Sequence, residues 1–269
     1  MTQPSDIAAL EADPTCLFAV SHSGGKDSQL SLIETLKRVP AERILVVHAT
    51  FPEEWPGALE HAKAQAEAAG CAFRVAHAIY KDGRAKTFLN RVESRIVARP
   101  DAPPFPGPKN RWCTSELKTG PIEVVIRAYM AGHGFKRVVS VEGIRAAESE
   151  SRKKRVPFAY RPAGKSEGLT RAGRQAWTFY PIFHLATADV IPAIRAAGQE
   201  PHWAYAQGNE RLSCTFCFLG SVNDLKVGAR LRPDLYAQYV ELEERTGYCL
   251  TMHKKPLREL VGEAVALAS

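Results

Sequence analysis

The chain has 269 residues, 45% hydrophobic and 24% charged, which is the balance of a globular protein with room for one elaborated α/β domain or two small ones. No apolar run approaches the roughly 18 residues needed to span a bilayer. Residues 1–13 are acidic and lack the basic-then-apolar layout of a signal peptide, so a cytoplasmic protein with no membrane partner is expected.

The net charge of +7 is unevenly placed. Residues 145–174 hold nine Lys/Arg against three acids, a surplus of six. Such a segment suits a polyanion, with nucleic acid first and the phosphates of a nucleotide second. A solvated basic loop is the plainer alternative. Six cysteines in a chain without a secretion signal point to metal or redox chemistry more than to structural disulfides.

In chain order, residues 16–21 form a short apolar run that ends in Ser21-His22-Ser23-Gly24-Gly25-Lys26-Asp27-Ser28. Leu30, Leu32, Ile33 and Leu36 then follow helical spacing. Residues 44–47 read as a second buried strand, and the Ala-rich residues 58–69 as a helix stopped by Gly70. Further strands are expected at 73–78 and 137–141, and helices near 87–97 and 122–131. Five prolines between 100 and 108 force an irregular loop. Residues 149–175 show little apolar periodicity and read as a long functional loop. After it a short strand at 180–183 and a helix at 190–197 are expected, while Tyr236, Tyr239 and Leu242 have the spacing of a buried helix face. Strands alternating with helices imply a doubly wound, mainly parallel α/β sheet. We expect that domain over residues 1–185, and a cysteine-containing helical and irregular extension packed on it over 186–269.

The Gly-Gly turn between strand and helix carries the first chemical signal. Gly24 and Gly25 let the backbone bring N–H groups close to an anion, and the following helix aims its positive end at the same point. Lys26 adds a charge, and Ser23 and Ser28 add hydroxyls. The spacing is not that of a Walker loop. Cys214-Thr215-Phe216-Cys217 is the second signal, two thiols at the spacing that grips zinc or an iron–sulfur cluster. A redox dithiol and plain buried cysteines are the alternatives. Cys16 and Cys71 open buried strands and read as core, and Cys249 as a small core residue with a possible ligand role.

Ser-Gly-Gly-Lys-Asp-Ser resembles the PP-loop of the adenine nucleotide α-hydrolase-like superfamily. Three more segments resemble the phosphoadenosine phosphosulfate (PAPS) reductase family in its broad sense: Phe51-Pro52-Glu53, Cys113-Thr114-Ser115-Glu116-Leu117-Lys118, and Gly143-Ile144-Arg145-Ala146-Ala147-Glu148-Ser149 with Arg152. The reductases' Glu-Cys-Gly-Leu-His segment and adjacent Cys-Cys pair do not occur in this sequence. What remains resembles the sulfur-transfer branch, nearest to DNA-phosphorothioation sulfurtransferases and more distantly to tRNA thiolation enzymes.

The resemblance implies an ATP pyrophosphatase that adenylylates a nucleic acid, DNA ahead of tRNA, for sulfur transfer from a cysteine desulfurase or other donor. Ser21, Ser23, Gly24, Gly25, Lys26, Asp27, Ser28, His48 and Gly143 would then hold ATP. Lys26, Lys118 and Arg145 would meet its phosphates, and Asp27 is a candidate Mg²⁺ ligand. Cys113, Cys214 and Cys217 would hold a 4Fe–4S cluster, or zinc. Arg152, Lys153, Lys154 and Arg155 would meet a nucleic-acid backbone. The rival implication is a PAPS or adenylylsulfate reductase, and a non-catalytic nucleotide-binding module is a third. Trp112 and Trp203 could stack a base, although packing anchors are the plainer reading.

Overall fold

The computed structural model describes residues 6–162, 168–170 and 173–262. Lys165, Glu167 and Arg171 of the basic stretch lie outside them. The described strands form one six-stranded sheet: β1 (Cys16–Ser21), β2 (Ile44–Thr50), β3 (Ala72–His77), β4 (Arg137–Val141), β5 (Phe158–Arg161) and β6 (Gln175–Phe179), in the order β3-β2-β1-β4-β6-β5. β1 pairs in parallel with β2 and β4, β4 pairs in parallel with β6, and β5 turns back antiparallel on β6.

Both faces of this sheet are apolar, and alternate residues divide between them. Phe18, Val20, Ile44, Val46, Val139 and Val141 pack into one core, while Leu17, Ala19, Leu45, Val47 and Val138 pack into another. That division makes the sheet doubly wound and mainly parallel, as expected. The chain builds outward from β1 to β2 and β3, then returns to place β4 on the other side of β1. Loops leaving β1 and β4 therefore diverge at the switch point, where α/β sheets hold their ligands.

The expected strand at 180–183 is a turn, and the strand lies just before it, at β6. Trp177 and Ala176 are wholly buried there and Phe179 nearly so. Part of the long loop expected over 149–175 is also ordered, as the helix Glu150–Lys153 and β5. The polar-facing half of these short strands hid the pattern.

The chain divides into two compact units, one of residues 1–49, 57–76 and 121–202, the other of 50–56, 77–120 and 203–269. The expected division at residue 185 is linear, whereas these units interleave in sequence. Val190 and Ile194 of the helix Val190–Ala196 pack with Leu30, Ile33 and Ile182 of the first unit. The second unit has its own core, in which Phe88, Trp112, Leu117, Phe216, Leu225 and Tyr239 meet. Tyr239 and Leu242 are buried in the helix Pro233–Thr246, as their spacing predicts.

Candidate nucleotide loop and thiol cavity

In the first unit, β1 ends at Ser21 and the helix Lys26–Leu36 begins four residues after His22. Gly24 has φ +76°, and a Cβ on it would lie 2.7 Å from the Ala58 carbonyl oxygen, so only glycine fits this turn. Gly25 is the N-cap and offers no side chain to the first-turn N–H groups of the helix, which leaves that end suited to an anion. Ser28 folds back, its Oγ accepting from Ser23 N at 3.1 Å and donating to Gly25 O at 2.8 Å. Ser23 is exposed, Ser21 and Asp27 are partly buried, and the Lys26 residue is 7% exposed.

The loop after β4 is pressed against this helix start. A Cβ on Gly143 would stand 2.6 Å from the carbonyl carbon of Asp27 and 2.8 Å from Ser28 N. Two residues on, the buried Arg145 donates from Nε to Asp27 Oδ1 at 2.6 Å and from Nη1 to Thr187 Oγ1 at 2.8 Å. Glu148 closes a small ring by accepting from Arg145 N at 3.1 Å while pairing with Arg152.

Beneath the loop lies a buried polar network. His48 is fully buried in β2, with Nδ1 2.8 Å from His22 O. His22 Nδ1 accepts from Gly24 N–H at 3.1 Å, and Nε2 faces Gln65 Oε1 at 2.7 Å. Gln65 Nε2 meets His61 Nε2 at 2.6 Å. Burial pulls the His22 imidazole down to about 3, and burial, then the neighbouring His202, pulls His61 to about 4.

In the second unit, Cys113, Cys214 and Cys217 line one small cavity of about 40 Å³ with Lys118, Ser213 and Phe88. The Cys-x-x-Cys loop is anchored by the Phe-Pro-Glu segment: Thr215 N donates to Glu53 O at 2.9 Å, and Glu54 bridges Cys214 as a one-residue antiparallel pair. Arg232 clamps the same segment, donating to Glu54 O at 2.6 Å. Lys118 donates to Ser213 Oγ at 3.1 Å and lies over the Phe51 ring. Burial raises the Cys214 thiol to about 12 and raises Cys113 too, each against the pull of the Lys118 ammonium. Among the described residues, no three His, Cys, Asp or Glu side chains stand in a preformed metal-ligand arrangement. What the three thiols share is the cavity. Their chemistry suits a sulfur-ligated iron or zinc centre, and the cavity would have to widen to admit one.

The PAPS reductase domain family matches residues 18–219, three-quarters of the chain. The chain belongs to that family. No curated protein sequence matches it. Among solved structures it is similar to an FMN adenylyltransferase of Candida glabrata, with 11% identity over 75% of this chain and 54% of that one, at TM-score 0.45. It is also similar to a PAPS reductase of Candida auris, with 13% identity over 77% and 84% at TM-score 0.43. A third likeness is to a U34-tRNA thiolase of Methanococcus maripaludis, with 14% identity over 96% and 80% at TM-score 0.45. The chain spans about half the length of the adenylyltransferases. These likenesses are weak and carry nothing about substrate.

Several of the expected site residues have protein groups as partners. His48 faces the underside of the loop through His22 O and is completely buried in β2. Arg145 and Asp27, expected to meet phosphate and Mg²⁺ separately, are bonded to each other. Lys118, expected on phosphate, has thiols and a hydroxyl as its neighbours. Trp112 is buried and stacked on Phe88, a packing anchor. Trp203 is 45% exposed, with its Nε1 donating to Pro56 O. Of the basic residues, Arg152 and Lys153 pair with Glu148 and Glu150, Arg155 donates to the Tyr180 hydroxyl at 3.1 Å, and Lys154 is exposed. Cys16 and Cys71 are core. Sequence reasoning missed His61, Gln65 and Thr187. The only available signal for the first two was a polar pair four apart on an otherwise Ala-rich helix.

Proposed function

We propose that the chain is an ATP pyrophosphatase that activates an oxygen of a nucleic acid, DNA ahead of tRNA, for replacement by sulfur. The observation that carries this is the intact Ser-Gly-Gly-Lys-Asp-Ser loop at the switch point, with the Gly143 loop packed on its helix start. Family membership supports nucleotide-dependent sulfur chemistry in general, and a complete loop with a lysine favours cleavage of ATP over mere binding of a sulfonucleotide.

In this reading the triphosphate lies on the first-turn N–H groups, Lys26 neutralises phosphate charge, and the exposed Ser23 hydroxyl donates to a phosphate oxygen while Ser28 braces the loop through Gly25 O. A target oxygen attacks the α-phosphorus, the α–β bridge breaks, and pyrophosphate leaves with the electron pair and with Mg²⁺ to balance its charge. The adenylylated oxygen is then a good leaving group, and a sulfur nucleophile at the sulfide level displaces it as AMP. Cys113, Cys214 and Cys217 would hold a 4Fe–4S cluster or zinc, and a cluster held there would supply the means of carrying sulfide-level sulfur. Lys118 balances thiolate charge in that cavity. The sulfur donor would be a cysteine desulfurase, whose persulfide sulfur needs two electrons from a thiol pair, oxidised to a disulfide, to reach the sulfide level, or an equivalent source already at that level.

The test is Lys26→Ala. ATP-to-AMP turnover should fall at least about 100-fold, as for loss of a group that stabilises developing charge, with the thermal unfolding midpoint unchanged. Unaltered turnover would overturn the assignment, and thiol-dependent sulfite release from a sulfonucleotide would put a reductase in its place.

A further inference from the structure

We infer that His22 is a positioning residue: its ring, oriented by Gln65, locks the Gly24 peptide and so decides which N–H groups of the loop face an anion. The inference rests on the nucleotide reading of the loop for its functional consequence, and on hydrogen bonds alone for its structural one.

The geometry fixes the tautomer. Gly24 N–H points at His22 Nδ1 at 3.1 Å, so that nitrogen must be the acceptor. The proton then resides on Nε2, which donates to Gln65 Oε1 at 2.7 Å. With its oxygen so used, Gln65 turns its amide nitrogen to His61 Nε2 at 2.6 Å. His61 Nε2 accepts that bond and so cannot also donate across the longer 3.4 Å gap to Gln29 Oε1. Gln29 spends its own amide nitrogen on Gln199 Oε1 and Glu200 O, both at 3.1 Å. From below, His48 Nδ1 donates to His22 O at 2.8 Å, and His22 N donates to Val47 O at 2.9 Å. His22 is thus held at its ring and at both its backbone polar groups.

His22 is 2% exposed, and burial keeps its ring uncharged at neutral pH. An imidazolium would present N–H on both sides and repel the Gly24 N–H. The consequence for ligand binding is specific. The Gly24 N–H is committed downward to the imidazole and is no phosphate donor. The anion is left to the groups from Gly25 onward, with the Gly24 turn held at φ +76° above Ala58.

Side-chain amides separate this lock from mere packing. Asn places an oxygen near the position of Nδ1 and can accept from Gly24 N–H. Gln places a nitrogen near Nε2 and can reach Gln65, but has no acceptor near Gly24. His22→Asn should therefore hold ATP affinity within about threefold of wild type, whereas His22→Gln and His22→Ala should lose about tenfold, the worth of one buried donor left unpaired. Amide exchange at Gly24, followed by NMR, should be slow in wild type and His22→Asn and fast in the other two.

Equal loss of affinity in all three variants would make His22 a space filler and overturn the inference, as would fast Gly24 exchange in wild type. A wild type that binds no ATP would instead sink the nucleotide reading. The exchange comparison would still decide for or against the lock.

Discussion

Gly143→Ala is the sharpest perturbation that the loop offers, because its effect follows from backbone positions alone. The added Cβ would lie 2.6 Å from the Asp27 carbonyl carbon, 2.7 Å from its oxygen and 2.8 Å from Ser28 N, where ordinary contact begins near 3.4 Å. The β4 loop and the start of the helix Lys26–Leu36 must part by about 0.6–0.8 Å. None of the obstructing atoms belongs to a side chain that could swing aside. Overpacking of this kind costs about 1–3 kcal/mol. Arg145 is two residues further along the same loop, so its 2.6 Å bond to Asp27 is stretched with it. A misplacement approaching 1 Å at a reacting group costs on the order of 100-fold in rate. Thermal unfolding and pyrophosphate release, measured on the same preparation, should show a modest loss of stability and a much larger loss of turnover. A variant with wild-type values of both would refute the packing argument, and a variant that loses both in proportion would reduce it to a folding effect.

Three further outcomes are expected. Protein purified without oxygen should be brown, with colour lost on Cys113→Ser, Cys214→Ser or Cys217→Ser but kept in Cys16→Ser and Cys71→Ser, whose thiols burial raises to about 12 and about 11; stoichiometric zinc without iron would refute the cluster. The unfolded chain protonates His22 as pH falls through 6.5, whereas the folded chain does not until about 3. The stability owed to the neutral ring is therefore complete above pH 6.5 and drains by about 1.4 kcal/mol per pH unit below it. His61, lowered to about 4, adds a slope of its own, so urea unfolding at pH 7, 6 and 5 should be steeper in wild type than in His22→Asn by the His22 share, and equal slopes would count against it. Neutralising Arg152, Lys153, Lys154 and Arg155 together should flatten the salt dependence of oligonucleotide binding by about two contacts' worth, a log–log change of roughly 1.4–1.8. The change falls short of four contacts because Arg152 and Lys153 already face Glu148 and Glu150; an unchanged slope would make the segment a solvated loop.

What could be read in the sequence followed from how local its cause was. β1 and β4 were legible to the residue because a strand buried on both faces is a mainly apolar run, Cys16 to Val20 in β1 and the three valines of β4 around Ser140. β5 and β6 were not, since Arg161, Thr178 and Gln175 interrupt them and only pairing, of β6 with β4 and of β5 with β6, makes them strands. The loop glycines announced themselves, because a tight turn needs glycine whatever surrounds it. The partners of the loop did not. Gln65 lies 43 residues from His22, and Arg145 lies 118 residues from Asp27. Spacing in the chain says nothing about such pairs. Lys118 shows the same limit from the other side, since its motif named it without naming its neighbours.

The Arg145–Asp27 pair changes the charge accounting of the loop. With both groups counted as separate, the site would offer two cations and a metal-binding carboxylate. Bonded at 2.6 Å, with the Arg145 side chain 3% exposed and the Asp27 side chain 20%, they largely cancel. The positive potential reaching a triphosphate then comes from Lys26 and from the helix start, the latter worth about half a charge. Asp27 keeps a role even so, because it sits in the first turn of that helix and pins Arg145 against it. Releasing Arg145 to a phosphate would leave a carboxylate beside the incoming anion, an unfavourable exchange unless a divalent cation arrives with the nucleotide. On the proposed nucleotide reading, the availability of Arg145 would therefore be tied to Mg²⁺: free ATP would meet a loop with one net side-chain charge, whereas a divalent cation held by Asp27 would leave the guanidinium free for phosphate.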